Sequence, residues 1–494
     1  MVELSARIRA FVSRVRRPLA WALGVFVFVS VILWAVVASG TLIDTRRFVR
    51  PDDSVSVFDH AGRPLRHARI DGADRRWVPL QGMSPVLLNA VIATEDGDFY
   101  RHHGVDLKAI SRSAARNLLP WTRLSGASTI TQQLVKRVYG RRGGVFGKFV
   151  EALRALSLER TLTKDEILEQ YLNRLPFGDG IEGVERASQS YFGHSAAVMT
   201  VAEAALLAGI PQAPSSTEPR RHLGRALARR ETVLARMLTR GVIDRATYDS
   251  ARREQPVIVR EEARPWEAPR FVDEVLHRWR AGTIQRNGHR IDTALDVDLQ
   301  RRAETLLQST VARFEARGAR NGAAVVVANA TGEVVAYVGA ARDTARDSGG
   351  ALDLLRARRQ PGSTLKSFIY ELFFERGGTA ATVLDDVVQP LRGARGSFFE
   401  ARDYDRGERG PVRARVALGS SLNLAALDAS GRAGSEHVVR RLKALGFQVE
   451  GDASQYGAAV VLGGADVTAL ELARAYMVLA RGGTSVALGY TPSP

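Results

Sequence analysis

Four short segments of this chain concentrate carboxylates, hydroxyls, amides and lysines: EDGDFYRHHG (95–104), GASTITQQLVK (126–136), KFVE (148–151) and KDEILEQYLN (164–173). Taken singly, each has a plain structural reading. Glu95 and Asp96 fit a solvated helix end, Ser128 and Thr129 fit caps, and Lys148 with Glu151 fits an i,i+3 surface pair. Further along, Ser363 and Lys366 fall one helical turn apart. That spacing lets a neutral lysine accept a serine proton while a helix N-terminus favours the developing negative charge. His102 and His103 are adjacent and point apart on a helix, and no third ligand follows at zincin-like spacing, so no protein metal site is expected.

In this order the four segments resemble the motif series of the family 51 glycosyltransferases found in class A penicillin-binding proteins and monofunctional transglycosylases. The pattern Glu-Asp-x-x-Phe-x-x-His-x-Gly is met by Glu95, Asp96, Phe99, His102 and Gly104, and Gly-x-Ser-Thr-x-Thr-Gln-Gln-x-x-Lys by residues 126–136. The likeness continues through LPFG, GIEGVERASQSYFGH and IPQAPSSTEP, whose wording is nearest to the branch called one-C. The resemblance implies polymerisation of lipid II: a sugar 4-hydroxyl attacks an anomeric carbon that carries a lipid pyrophosphate. Glu95 would be the base, for which a carboxylate in a partly apolar pocket is the usual device. Glu151 would assist at the leaving-group side, and Ser128, Thr129, Gln133, Asp96, Phe99 and His102 would line or brace the site.

Two carboxylates also describe a glycosidase. The leaving group separates the two chemistries, because a departing pyrophosphate requires cations. Lys136, Arg137, Arg141, Arg142 and Lys148 supply them. The family pattern places an arginine ahead of that last lysine, whereas Gly147 stands here. Arg141 or Arg142, a divalent Mg or Mn ion at the pyrophosphate, or reduced activity are the three ways to account for it.

In the C-terminal region QPGSTLK (360–366) and SLN (421–423) match Ser-x-x-Lys and Ser-x-Asn, two of three marks of penicillin-binding transpeptidases. By resemblance Ser363 is the nucleophile and Lys366 its base, with Ser421 and Asn423 beside them. The third mark, Lys-Thr-Gly or Lys-Ser-Gly, does not occur. The expectation is therefore a transpeptidase-like domain that ends before that strand and is inactive or weak.

The elements that must carry these residues can be read from pattern. Ser84 with Pro85 starts a helix, and Thr163–Glu166 and Thr200–Glu203 have capping-box spacing. The alternation in SVSVFDHAGRPLRHARI suggests a hairpin, as does GAAVVVANATGEVVAYVGA around Ala330-Thr331-Gly332. The expected layout is a cytoplasmic tail (1–17), a transmembrane anchor (18–43) and a linker or hairpin (44–80). A mostly α, lysozyme-like glycosyltransferase domain (81–253), a connector (254–271) and an incomplete α/β transpeptidase-like domain (272–494) follow.

With 494 residues and 45% hydrophobic residues, the chain can form two or three cores. The absence of cysteine excludes disulfides and thiolate chemistry. Seventy basic against 53 acidic residues leave +17, which suits membrane surfaces, phosphates or nucleic acid alike. Topology chooses among them. Residues 18–43 carry no charge, enough apolar length to cross about 30 Å of hydrocarbon. Arg7, Arg9, Arg14, Arg16 and Arg17 precede this run, keeping the N-terminus cytoplasmic and the rest outside, at the inner or plasma membrane. Expected partners are lipid II, nascent glycan strands, the membrane, β-lactams and other cell-wall synthesis proteins, with no nucleic acid. The rival readings are a membrane-tethered non-catalytic scaffold and a glycan-cleaving lytic enzyme.

Overall fold

The computed structural model describes residues 31, 34–111, 128–140, 143–260, 265–341, 352–388, 390–392, 398–450 and 456–493. Most of the expected membrane anchor and the cations Arg141 and Arg142 lie outside them. Among the described residues no helix is long and apolar enough to cross a membrane. The chain divides into two compact units: residues 1–55 with 68–263, and residues 56–67 with 264–494.

The segment 44–80 is shared between the units. Strands β1 (Val55–Phe58) and β2 (Pro64–Ala68) are the expected hairpin, and β1 pairs with a strand more than 200 residues away, described below. In the first unit β3 (Asp74–Arg75), β4 (Pro176–Gly178) and β5 (Ile181–Glu182) form a small sheet in the order β3-β5-β4. The rest is helical: α1 (Pro85–Glu95), α2 (Ile130–Tyr139), α3 (Gly144–Leu158), α4 (Lys164–Asn173), α5 (Val184–Phe192), α6 (Val201–Gly209) and α7 (Pro219–Thr239).

The sequences of α1 and α6, PVLLNAVIATE and VAEAALLAG, are apolar on nearly every side, so both helices sit inside the unit and pack on each other and on α7. Ser84 precedes Pro85 at the start of α1, and both expected capping boxes form at α4 and α6. An unanticipated box, Thr129 with Gln132, starts α2. Leu87, Val91, Phe99, Leu134, Leu158, Tyr171, Leu172 and Leu206 belong to one core.

In the second unit β6 (Arg290–Asp292) runs parallel to β1 and completes the sheet β2-β1-β6. Strands β7 (Ala324–Val327) and β8 (Val334–Val338) form the other expected hairpin, antiparallel with Ala324 opposite Val338. Gly332 turns it at φ +81°, where a Cβ would meet the Ala487 carbonyl oxygen at 2.6 Å. A helical core follows, built on α8 (Lys366–Glu375), α9 (Asn423–Ala433) and α10 (Ser435–Ala444) around Phe368, Ile369, Leu442 and Phe447. Strand β9 (Val383–Asp386), paired with residues 410–413, lies against α9.

Candidate active sites

In the first unit Glu95 is the last residue of α1 and is half-buried. Helix ends leave carbonyls without partners. Here the Arg236 guanidinium donates to the Thr94 oxygen at 2.7 Å and the Asp96 amide returns to Ile92, so the end of α1 is fixed from both sides. The Gln133 side-chain amide donates to Glu95 Oε2 at 2.8 Å, and the Tyr171 hydroxyl donates to Gln133 Oε1 at 3.0 Å. Burial and then the charge of Glu95 hold the Tyr171 phenol well above its ordinary range, so it stays a donor. Glu95 Oε1 has no hydrogen-bond partner among the described residues.

The following turn is braced rather than open. Asp96 is buried, receives His102 Nε2 on both oxygens at 3.0 Å, and accepts from the Ile130 amide at 3.0 Å. Phe99 is fully buried, edge-on to Tyr100, with the Lys164 ammonium 4.4 Å from its ring centre. Gly104 has φ +84°, and a Cβ there would sit 2.7 Å from the Ala155 oxygen, so only glycine lets this turn lie against α3. Thr129, 2% exposed, donates to the Gly104 oxygen at 2.6 Å while capping α2.

Asp96, Phe99 and His102 were expected to brace or orient the Glu95 turn and Thr129 to line the site; in all four the polar atoms bond to the chain itself or the ring is buried.

The second carboxylate is tied to the residues that lead into α2. Lys148 Nζ donates to Glu151 Oε1 at 2.6 Å and to Ser128 Oγ at 3.0 Å. The pair has i,i+3 spacing, yet its members differ: the Lys148 side chain is 54% exposed and that of Glu151 only 10%. Residues 128–133 therefore hold both halves of the site, Lys148 with Glu151 through Ser128 and Glu95 through Gln133. Lys136 follows Gln133 by three positions, is exposed, and has no ion-pair partner among the described residues. Gly147 is buried within α3. No group of three or more His, Asp or Glu able to hold a metal occurs among the described residues.

In the second unit Ser363 is exposed on a single 3-10 turn, Gly362–Leu365, that runs directly into α8 at Lys366. Lys366 is 2% exposed, and its ammonium donates to the Ser421 oxygen at 2.6 Å, Asn423 Oδ1 at 2.6 Å and Ser421 Oγ at 3.3 Å. Burial lowers its pKa from the ordinary 10.5. Ser421 adopts φ +56°, a strained conformation for a residue with a Cβ. Two aspartates hold the start of α9: Asp403 accepts from the Asn423 amide at 2.5 Å, and Asp386, fully buried, accepts from the Ala425 amide at 3.2 Å. Burial and then the charge of Asp403 raise the Asp386 carboxyl above its usual range. At the other side, Gly463 packs its backbone on Gly362, where a Cβ would come within 2.4 Å.

Two family models match the chain, one in each unit. A family described as Transglycosylase matches residues 61–238, and one described as Penicillin binding protein transpeptidase domain matches 322–492. Penicillin-binding protein 1A of Aquifex aeolicus is 30% identical over 88% of this chain and 70% of its own. The chain belongs to the class A penicillin-binding proteins.

Within that family, penicillin-binding protein 1C of Escherichia coli is 34% identical over 439 residues, 88% of this chain. The chain spans 55% of the length of that relative. The fold is that of the crystal structure of penicillin-binding protein 1A from Haemophilus influenzae, with TM-score 0.57 and 21% identity over 87% of this chain and 68% of that one. Three contributors were missed by sequence reasoning: Tyr171, Asp403 and Asp386. Tyr171 lay inside a segment already marked as polar, but its place in a helical apolar row reads as core. Nothing in local pattern marks the two aspartates.

Proposed function

We propose that the first unit polymerises glycan from lipid II, transferring a growing strand from its lipid pyrophosphate to the 4-hydroxyl of an incoming sugar. The observation that carries this reading is Glu95 at the rim of α1 with one oxygen held by Gln133 and the other free. Glu95 Oε1 accepts the hydroxyl proton as the new bond forms between the hydroxyl oxygen and the anomeric carbon. The bond from that carbon to pyrophosphate breaks, and the leaving oxygens are met by Lys148 and Lys136, with Glu151 setting Lys148 in place. An exposed lysine held by one carboxylate suits a ligand richer in negative charge than that carboxylate.

Lipid attachment of the substrate is supported by apolar surface on the same unit. A cavity of about 700 Å³ is lined by Trp34, Val37, His103, Leu153, Leu156, Glu159 and Arg160. Leu107, Ile110, Phe146 and Phe149 are exposed. Such surface fits a membrane interface, and with it the single-pass anchor at 18–43, an N-terminus in the cytoplasm and both units outside. Mg or Mn would enter with the pyrophosphate.

For the second unit we propose that Ser363 is the residue that a peptide or a β-lactam would acylate, with Lys366 as its base, and that this acylation is weak or absent while no Lys-Thr-Gly or Lys-Ser-Gly accompanies Ser363 and Ser421. Incubating the protein with lipid II and following chain length by gel tests the first activity. The parent makes polymer, and Glu95→Gln lowers the rate about 10²–10⁴-fold, the usual worth of a general base. Equal rates in parent and variant would refute the assignment, and shortening of preformed strands without growth from lipid II would indicate a lytic enzyme instead.

A further inference from the structure

The two oxygens of Glu95 are not equivalent, and the cause lies two side chains away. A carboxylate only accepts hydrogen bonds, so the Gln133 amide must turn its NH₂ toward Glu95 Oε2, at 2.8 Å. An amide can meet that demand in two ways, resting there by chance among rotations or being held. Tyr171 holds it. The phenol is completely buried, and its hydroxyl lies 3.0 Å from Gln133 Oε1. A neutral phenol with one acceptor in reach donates, which fixes the amide oxygen on the tyrosine side and the nitrogen on the glutamate side.

We propose that Tyr171 is a positioning residue for glycan transfer: through Gln133 it commits Glu95 Oε2 to an amide hydrogen bond and reserves Oε1 for the sugar proton. The inference rests on Glu95 being the base. The charged and titratable groups facing this relay come from several elements. Asp96 follows Glu95 in the chain, and Arg229 of α7 acts electrostatically on Glu95. Arg137 of α2 acts on Tyr171. None of these donates a hydrogen bond to Gln133 Oε1, so removing the phenol oxygen leaves the amide free to turn. With its oxygen toward Glu95, the amide would repel the ionised carboxylate and favour its protonated form.

The test is a set of pH–rate profiles for polymerisation of lipid II by the full chain. Tyr171→Phe is expected to lower kcat about 10–100-fold with KM little changed, because binding groups are untouched while the base is mis-set. The acid limb of kcat/KM moves to higher pH. Gln133→Met, which fills similar space but offers no N–H, moves the limb in the same direction and keeps the proposal testable if Tyr171→Phe does not fold. A limb that stays in place in both variants, with any loss confined to thermal stability, overturns the relay. Glu95→Gln serves as the separate control: if it polymerises at the parental rate, the assignment of the base has failed rather than the relay.

Discussion

As the bases proposed for the two units, Glu95 and Lys366 would face the same requirement, a group free of its proton, from opposite starting points. A glutamate is already ionised at neutral pH, so the first unit spends its structure on orientation: Gln133, Tyr171 and the Arg236 clamp on α1 set where the carboxylate points. A lysine is ordinarily protonated, so the second unit spends its structure on burial. Lys366 is 2% exposed, and desolvation is the largest influence on its proton. The carboxylate is left half-open to solvent and the ammonium is enclosed. The lesson is that hydrogen-bond geometry orients one proposed base while burial lowers the pKa of the other.

This contrast can be broken experimentally. Lys366→Met should lower acylation of Ser363 by a fluorescent penicillin about 10²–10⁴-fold while polymerisation continues at the parental rate. Loss of both activities together would erase the distinction between the units. The pH dependence sharpens it. Burial depresses the lysine pKa, so the neutral base appears at lower pH than it would for a free lysine, and the acylation rate should rise to a plateau with a midpoint below 10.5. A midpoint at or above 10.5 would mean that burial does not prepare the base.

Smaller effects probe the scaffold of the glutamate site. Gly104→Ala combines a left-handed backbone with a 2.7 Å approach to the Ala155 oxygen. It should cost about 2–4 kcal/mol in chemical denaturation. Thr129→Ala removes one cap and one bond to the same turn and should cost about 1 kcal/mol.

Much of this was legible in sequence because it is local. Ser84-Pro85, the boxes at Thr163 and Thr200, and the hairpin around Gly332 each follow from a few neighbouring residues. The motif residues Glu95, Ser128, Gln133, Lys148 and Glu151 were legible as well, and the structure joins them through the single stretch 128–133. What was hidden depends on distance along the chain. Tyr171 reaches Gln133 from another helix, and Asp403 finds the Asn423 amide 20 residues on, past a strand and a short helix. Burial of Asp96, Phe99 and Thr129 was hidden too, since a polar or aromatic side chain in a motif looks the same whether it meets a ligand or its own backbone.

The parallel pairing of β1 with β6 also binds residues 56–58 to 290–292. The two units are thus interleaved along the chain, residues 56–67 of the second lying between two segments of the first. During synthesis the first 263 residues can collapse while β1 and β2 wait, their edge uncovered, for a strand not yet made. Cutting the chain near residue 264 to obtain the C-terminal part alone would discard two of the three strands of that sheet. An independently stable fragment would have to carry residues 56–67 with it, joined by a linker in place of residues 68–263.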